Sequence, residues 1–424
     1  MENTFLITKC MLLPSEGSSL QEEYDIIAGN PIIDYYESIE SPSISMTITF
    51  IDIDQVIGRK GITGGEYVDL IVKIDDEDAD DFKIMHNKQK MILNSVRNMI
   101  TESNKQVATL EFVSVETLVN ETARVNKKYT GNISDIVKEL LVQDTKGIQT
   151  AKKLFGPVDE SLNGDNVKKD RATNSYSFVG NLKRPFDTIQ WLCPKAQASS
   201  KNFGFLFFEN IDGYHFKSVE NLLKQEPKFS YQKPDRPTET DLRLIESNLN
   251  QSNDMGINAR MGMYSNRTIY VDIENETYEE DDFDISELNP EKPLKVIETL
   301  KEKPTRLMFR ILDQGALQKG SKKEEVEKRN ELAVYQNKSY IRNNLLFSQS
   351  LNISVPINPE LRAGQMIEVQ FPLAQLSSRG TENEYGRDKD NDISGKYLIS
   401  ELRHVIGDGK SSTQLNLIRD TFTA

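Results

Sequence analysis

The two ends of the chain alternate between apolar and polar residues, which is the pattern of half-buried β-strands. Residues 43–52 place isoleucine, methionine and phenylalanine on one face and serine and threonine on the other. Residues 67–74 and 107–113 are further strand candidates, and residues 91–100 fit either a strand or a helix, with a strand favoured. In the last quarter, strands are predicted for residues 351–355, 366–371, 395–399 and 414–418. The pattern therefore predicts a β unit at each end.

After residue 129 the spacing of apolar residues changes to that of a helix. Five of them recur at i, i+3, i+4, i+7 and i+8 and so share one helical face: Ile133, Ile136, Val137, Leu140 and Leu141. A second helix is predicted to begin at Pro185, because proline is well tolerated in the first turn. Residues 203–208 and 214–216, separated by Asp212-Gly213, predict a β-hairpin. These segments predict a small α+β unit at about 125–225 with an aromatic core.

The region between this unit and the last quarter is mostly polar. Residues 224–253 contain three prolines and are interpreted as a crossing linker with some local order. Residues 267–273 alternate as a strand, and residues 322–346 predict a charged helix. The acidic stretches at 75–81 and 274–284 are interpreted as solvated loops, because neighbouring like charges repel. Ser114 is a plausible N-cap for a helix that extends to about Arg124.

Length and composition limit the possible architectures and partners. The chain has 424 residues, more than one core usually organises, so about two to four domains are expected. We predict boundaries at 1–122, 123–225, 226–334 (linker and a further small β-containing domain) and 335–424. The fold class is α+β, mainly β. The net charge of −14 argues against stable nucleic acid binding, since phosphate contacts need a basic surface.

Other compositional features argue against several classes of protein. Two cysteines and three histidines cannot build a disulfide framework and argue against a structural zinc site. No apolar run reaches the roughly 18 residues that a membrane span requires. Residues 5–13 are apolar but are interrupted by Lys9 and lack the features of a signal peptide. We therefore expect a soluble intracellular or virion protein.

The sequence contains no recognisable catalytic or cofactor motif. Gly409-Lys410-Ser411 resembles the end of a phosphate-binding loop, but His404 stands where such a loop requires glycine. The glycine-rich residues 58–65 are interpreted as a turn. His86, His215 and His404 are isolated in the sequence, which favours structural roles. Among 66 acidic residues a glycosidase-type pair stays possible, but no local motif marks one.

The strongest local candidate for an ion site is the segment from Asp388 to Asp392. Its carboxylate and amide side chains begin like a calcium-binding loop. However, Ile393 stands at position six, where glycine makes the sharp turn, and Ile399 stands at position twelve, where a bidentate glutamate belongs. A polar hairpin insertion is the preferred interpretation, and ion binding by this loop is left open. We predict no catalytic, cofactor-binding or metal-ligating residue, and no cofactor.

Ten short blocks, taken together and in order, resemble the baseplate hub protein of T4-like contractile phage tails, which is related to the hub part of secretion-system spike proteins. The blocks are residues 36–39, 43–50 with Asp52, 62–66, 185–192, 205–209, 213–218, 352–356, 361–365, 395–399 and Arg403-His404. Each block alone is weakly specific, and their joint order carries the resemblance.

The resemblance implies two tube-like β-barrel domains in one chain, with smaller α+β domains inserted, and the two barrels should superpose. Three chains would then supply six quasi-equivalent barrels, so that a homotrimer joins the hexameric tail tube to the central spike and contacts neighbouring baseplate proteins. An acidic lumen would let DNA slide through without sticking. The expected location is the virion tail baseplate, assembled in the host cytoplasm, and the expected role is structural and not enzymatic. The alternatives are a cell-wall hydrolase at the tail tip, or another tail tube or wedge subunit.

Overall fold

A computed structural model describes most of the chain. The described residues are 5–53, 55–74, 81–85, 88–102, 105–156, 171–198, 203–233, 242–250, 255–273, 276–285, 300, 303–311, 335–371, 393–407 and 411–420. Several candidates from the sequence lie outside them: His86, the loop from Asp388 to Asp392, Gly409-Lys410, most of the first acidic stretch and the first half of the charged helix. Within the described residues the fold is mainly β, as predicted.

Among its described residues the N-terminal part consists of strands with one short α-helix and a 3-10 turn at Ile27–Gly29. The elements are β1 (Phe5–Leu13), β2 (Tyr24–Asp25), β3 (Ile32–Ser38), β4 (Ser45–Ile51), α1 (Val56–Lys60), β5 (Tyr67–Ile74), β6 (Phe82–Ile84), β7 (Met91–Glu102) and β8 (Lys105–Ser114). The strand interpretation of residues 91–100 is confirmed: Met91 and Leu93 alternate into the core while β7 pairs with β8. The glycine-rich residues 58–65 form the end of α1 and the turn after it.

The inserted unit combines short helices with two small sheets. Its elements are α2 (Val115–Thr122), β9 (Lys128–Asn132), α3 (Ile133–Lys138) continued by a π-helical turn (Glu139–Gln143), β10 (Lys153–Phe155), β11 (Ser175–Val179), α4 (Pro185–Leu192), β12 (Phe205–Asn210), β13 (Gly213–Ser218) and α5 (Val219–Leu223). Pro185 opens α4, and β12 and β13 form the predicted hairpin. Gly213 takes a φ of 144° in the turn, a conformation that favours glycine.

The remainder of the chain returns to β structure. Its elements are β14 (Ser230–Gln232), β15 (Glu246–Asn250), α6 (Met255–Arg260), β16 (Ser265–Asp272), β17 (Thr277–Asp284), β18 (Arg306–Ile311), a helix α7 over residues 335–346, β19 (Gln349–Pro356), β20 (Met366–Gln370), β21 (Gly395–Ile406) and β22 (Ser412–Arg419). All four strands predicted in the last quarter are present.

Two interpretations of polar segments need correction. The segment 224–253 is more than a linker, because β14 pairs with β20 and β15 pairs with β19. The prediction that the second acidic stretch is a solvated loop is wrong, because most of it forms the strand β17. Cross-strand contacts overcome the local repulsion: Arg267 forms salt bridges with Glu280 and Asp282, and Phe283 is buried on the opposite face.

One large sheet joins the two ends of the chain. Among the described residues it contains 14 strands, and its main path runs β15-β19-β22-β21-β3-β4-β8-β7-β5-β1-β2. The two ends meet where β21 pairs antiparallel with β3, with Arg403 opposite Tyr36. A continuous hydrophobic core lies under both halves, from Cys10 to Leu417. The sheet therefore crosses from the N-terminal to the C-terminal part without a break in its core.

The predicted helical stripe lies in the core of the inserted unit. All five of its residues are at most 2% exposed, including Leu140 in the π-helical turn. We expect Leu140→Ala to lower the free energy of unfolding by about 2–5 kcal/mol, because it removes buried methyl groups and leaves a cavity. Chemical denaturation would measure the change. Val142→Ala, in the same turn but 40% exposed, is the matched control, and equal effects of the two substitutions would contradict the buried stripe.

Candidate functional site

A polar groove of about 1220 Å³ crosses the large sheet where its two halves meet. Its floor is formed by seven neighbouring strands: β8, β4, β3, β21, β22, β19 and β15. Along each strand the apolar residues turn to the core, so the alternate polar residues face the groove. The groove is thus built from both the N-terminal and the C-terminal parts of the chain.

The strand register aligns the groove residues in rows across the sheet. One row crosses all seven strands and consists of Val113, Ser45, Tyr36, Arg403, Gln414, Ser354 and Glu246. A second row crosses five strands and consists of Ser38, Glu401, Asn416, Asn352 and Asn248. Hydroxyl and amide side chains dominate both rows. Such a surface is well hydrated but carries few charges.

Arg403 lies at the centre of the groove, on the boundary between the two halves. Its guanidinium donates to Asp34 Oδ1 through Nε and Nη2, at 3.1 and 2.9 Å, and lies 5.6 Å from the Tyr36 ring centroid. Its Nη1 donates to Gln414 Oε1 at 3.3 Å. Apart from Glu37, whose carboxylate turns to the core, the groove is lined by three glutamates, one lysine and one arginine, which gives a formal charge of −1. The one central cation is thus already held by a neighbouring carboxylate.

Glu209, on β12, connects the inserted unit to the N-terminal strands. Its Oε2 accepts hydrogen bonds from Ser114 Oγ at 2.7 Å and from the Ile44 N–H at 3.1 Å. Its Oε1 lies 2.5 Å from Lys152 Nζ, and this ammonium also lies 2.8 Å from Glu116 Oε2. Ser114 therefore occupies the predicted N-cap position of α2, but its hydroxyl binds Glu209 and does not cap the helix.

Burial and the lysine–carboxylate contacts together determine the ionisation of this cluster. Burial raises the pKa of Glu209, which is fully buried, although Lys152 opposes the shift. Burial alone would lower the pKa of Lys152, but the carboxylates of Glu209 and Glu116 outweigh it, and the pKa is raised. The lysine therefore stays charged and compensates the buried carboxylates.

Two carboxylates on one lysine resemble the acid pair of a glycosidase. Such a pair can act only if a sugar reaches both carboxylates. The Glu209 side chain has no exposed surface and that of Glu116 only 12%. Lys152 fills the space between them, where a sugar would have to bind. The arrangement is suited to holding two parts of the chain together, and not to hydrolysing a polysaccharide.

Glu37 forms a second buried connection, between three parts of the chain. Its carboxylate accepts hydrogen bonds from the Tyr35 hydroxyl, the Ile211 N–H and the Ala363 N–H, each at 2.8 Å. These groups belong to the N-terminal strands, the inserted hairpin and the C-terminal part. Burial raises the pKa of Glu37, and Arg362 partly offsets this shift. Glu37 therefore fixes the relative positions of all three parts.

Glu37 and Glu209 were not predicted as site residues, although the sequence contains one signal for Glu37. Glu37 stands at an inward-facing position of β3, in step with the buried Ile33, Tyr35 and Ile39. A glutamate in such a position must have buried partners, because an unpaired buried carboxylate is strongly unfavourable. The partners themselves lie far away in sequence and could not be named.

The two described histidines are buried and have structural neighbours. His404 Nδ1 lies 2.9 Å from Thr413 Oγ1, and its ring stacks on Tyr35. His215 Nε2 lies 2.9 Å from Asn210 Oδ1, and its ring lies between Phe155 and Phe208. Burial lowers the pKa of His404 to about 3 and that of His215 well below its usual value. Both are therefore neutral rings of the core at physiological pH.

The remaining reactive groups are few within the described ranges. No group of three or more histidine, cysteine, aspartate or glutamate side chains there could hold a metal ion. Cys10 and Cys193 are free and buried, and burial raises the pKa of each thiol to about 12. None of the helices found in this part of the chain is both long and apolar enough to cross a membrane.

Comparison with known proteins gives similarity in structure only. No protein-family model and no curated protein matches the sequence. The tail protein from Neisseria meningitidis MC58 has a TM-score of 0.53 at 10% identity, covering 99% of this chain and 97% of that chain. The 43 kDa tail protein of prophage MuSo2 from Shewanella oneidensis has a TM-score of 0.48 at 11% identity, covering 98% and 99%. Prophage tail protein gp18 from Listeria monocytogenes EGD-e has a TM-score of 0.48 at 8% identity, covering 97% and 94%.

At 10% identity the first of these similarities concerns the fold alone, and it extends over nearly the whole of both chains. The resemblance to tail proteins in the sequence blocks is thereby confirmed at the level of the fold. The chain has the fold of a tail protein.

Proposed function

We propose that the chain is the structural hub of a contractile phage tail baseplate. Three copies form a ring that joins the hexameric tail tube to the central spike and contacts neighbouring baseplate proteins. The protein is part of the virion and is assembled in the host cytoplasm. One observation carries the proposal: the N-terminal and C-terminal β units continue into one sheet across β3 and β21 and present one groove.

This continuity reconciles threefold with sixfold symmetry. If residues 1–122 form one tube-like domain and residues 335–424 form the other, extended by β14 and β15, which pair with β20 and β19, then each chain supplies two neighbouring sixths of a ring. Three copies supply six similar domains, which match the sixfold symmetry of the tube on one face of the ring. The three chains match the threefold symmetry of the spike on the other face. The pairing of β3 with β21 holds the two units of one chain side by side.

In this ring the polar groove faces the channel. Its rows of hydroxyl and amide groups hold water, and the charged residues that face it give a formal charge of −1. Arg403 is the only cation in the two rows, and Asp34 pairs with it. A wall with this chemistry offers DNA no array of cations that could bind successive phosphates, so DNA would pass without being retained.

Ring closure needs two different edges on each chain. At one end of the groove, β15 pairs with β19 and has no second partner strand among the described residues. At the other end, β7 pairs along β8 but meets β5 only at Tyr67 and Ile92. In the proposed ring, β15 of one copy lies beside the β7–β8 hairpin of the next, a heterologous contact that closes after three copies.

The purified full-length chain tests this function. We expect mass photometry to give three times the 48.3 kDa chain mass and negative-stain images to show a ring with six similar lobes around a channel. A hexamer would favour a tube subunit, and a stable monomer would contradict the ring. A zymogram on cell-wall material should show no clearing, and clearing would replace the hub proposal with the hydrolase.

A further inference from the structure

The helix α7 lies between the inserted unit and the small sheet formed by β16, β17 and β18. On one side, Arg342 Nε donates to Glu220 Oε1 of α5 at 2.5 Å. On the other side, Asn337 Nδ2 donates to Asn266 Oδ1 of β16 at 2.9 Å. Asn337 and Arg342 are five residues apart, which is about 140° around the helix axis. The inserted unit and the small sheet therefore pack on nearly opposite sides of α7.

The inserted unit is itself layered, with α4 between its two small sheets. The Phe186 ring lies 5.6 Å from the Phe207 ring of β12, whereas the Trp191 ring lies 5.1 Å from the Phe178 ring of β11. Phe186 and Trp191 are also five residues apart on their helix and so point to nearly opposite sides. The layers therefore follow in the order β9 with β11, α4, β12 and β13 with α5, α7, and the small sheet.

At one end of this stack is the Leu182 turn, residues 179–184. It is closed by a hydrogen bond from the Lys183 N–H to the Gly180 carbonyl at 3.1 Å. Its two central residues, Asn181 and Leu182, have φ angles of 51° and 58°, where glycine and asparagine are common and leucine is strained. The Leu182 side chain is nevertheless 61% exposed. Strain in the backbone and an apolar side chain in water both suggest that Leu182 is presented to a partner.

The surroundings of the Leu182 turn are basic. Arg124 precedes Val125, which pairs with Lys183 across an isolated bridge. Arg184 forms a salt bridge with Glu121 at 2.9 Å. Arg124 donates to backbone carbonyls and Lys183 lies over the indole ring of α4, and neither forms a salt bridge with any described residue. Three basic residues and one acidic residue thus give this end a local charge of +2, in a chain whose net charge is −14.

At the other end of the stack is the open face of the small sheet, turned away from α7. Four large apolar side chains on it are 61–71% exposed: Tyr278, Leu307, Phe309 and Ile311. Glu280 and Asp282 alternate with Tyr278 on the same face and share one arginine, Arg267, so the face has a local charge of −1. An exposed apolar patch with a polar rim marks an interaction surface.

We propose that the Leu182 turn of one copy docks on the open face of the small sheet of the next copy. Leu182, with the 50% exposed Val179 beside it, would cover Phe309, and Lys183 would lie near Glu280. Opposite charge and shared apolar character make a second copy the fitting occupant. Within one chain the two surfaces cannot meet, because α4 and α7 lie between them. The proposal rests on the proposed threefold ring, around which such a heterologous contact closes.

Disulfide trapping between two full-length chains of different mass, produced in the same cells, tests the contact directly. One chain carries Leu182→Cys, and the other carries Leu307→Cys, Phe309→Cys or Ile311→Cys in order to cover the possible registers. A disulfide requires Cα atoms within about 7 Å, and the native cysteines are buried. Oxidation should give a mixed covalent dimer for at least one of the three pairs. In the control, Leu6→Cys, at a residue of β1 that is 64% exposed, replaces Leu182→Cys and should give none.

A substitution in the turn separates assembly from folding. Asparagine tolerates a positive φ, so Leu182→Asn should leave the melting temperature of the dilute monomer unchanged or raise it. The same substitution removes the apolar side chain, so the concentration at which the trimer dissociates should rise by about tenfold or more. Leu6→Asn, the matched control, should leave this concentration unchanged.

The outcomes distinguish this contact from the ring itself. A wild-type monomer would contradict both. A wild-type trimer that gives no mixed disulfide from any pair would overturn the contact, leave the ring in place and assign the open face to a different protein. Unchanged dissociation of the Leu182→Asn trimer would overturn the contact as well.

Discussion

Lys152→Met is expected to lower the free energy of unfolding by about 3–5 kcal/mol, the usual cost of removing one partner from a buried ion pair. Methionine fills much of the same space, so the loss comes mainly from charge. Glu209 and Glu116, held 2.5 and 2.8 Å from the ammonium, would lose the cation that compensates them. Urea denaturation at neutral pH measures the change.

Two further variants separate this charge effect from general disruption. Lys228→Met removes a cation whose pair with Glu360 is half exposed, and we expect a change of about 0–1 kcal/mol. Combining Lys152→Met with Glu209→Gln should recover a substantial part of the loss, because the buried carboxylate disappears together with its partner. A Lys152→Met protein as stable as the Lys228→Met protein would show that the cluster does not hold the parts together.

Acid is expected to destabilise the protein through its buried histidines. The pKa of His404 is lowered to about 3, from an ordinary value of 6.5, chiefly by burial and then by Arg362. Below pH 6.5 the unfolded chain therefore binds a proton at this position that the folded chain does not bind. Stability is fully present above pH 6.5 and falls as the pH falls toward 3, by about 1.4 kcal/mol for each pH unit from His404 alone.

His404→Gln tests this origin of the acid sensitivity. The substitution keeps a polar group near Thr413 but removes the titration, so the slope of stability against pH between 6 and 4 should become shallower. Above pH 7 the wild type and the variant should have parallel profiles. His215→Gln should flatten the slope as well, because burial also lowers the pKa of His215. An unchanged slope in both variants would mean that carboxylates alone cause the acid sensitivity.

Local periodicity predicted most of the individual elements, because each depends on neighbours in sequence. The buried stripe at Leu140, the helix at Pro185 and the hairpin around Asp212-Gly213 are of this kind. The strand β17 was missed because five carboxylates in eight residues suggest repulsion. What stabilises it is Arg267 on the adjacent strand, and strand pairing is not visible in a local pattern.

The candidate site depends even more on distant residues, which explains why it was not predicted. The donors to Glu37 and Glu209 include backbone groups 326 and 165 residues away. The groove exists only because β3 pairs with β21, so none of its strands alone indicates it. The absence of a motif could be read from the sequence, but the connections that assemble the three parts could not.

The pairing of β3 with β21 also determines when folding can finish. Asp34 and Arg403 are 369 residues apart, so at translation rates of about 5–20 residues per second the ribosome needs roughly 20–70 s to supply the partner of β3. During that time β3 has an open edge that could pair with other nascent chains. The chain thus completes its central sheet only after β21 has been synthesised. The yield of folded protein in cells should therefore depend on chaperones that protect the N-terminal half until β21 has been synthesised.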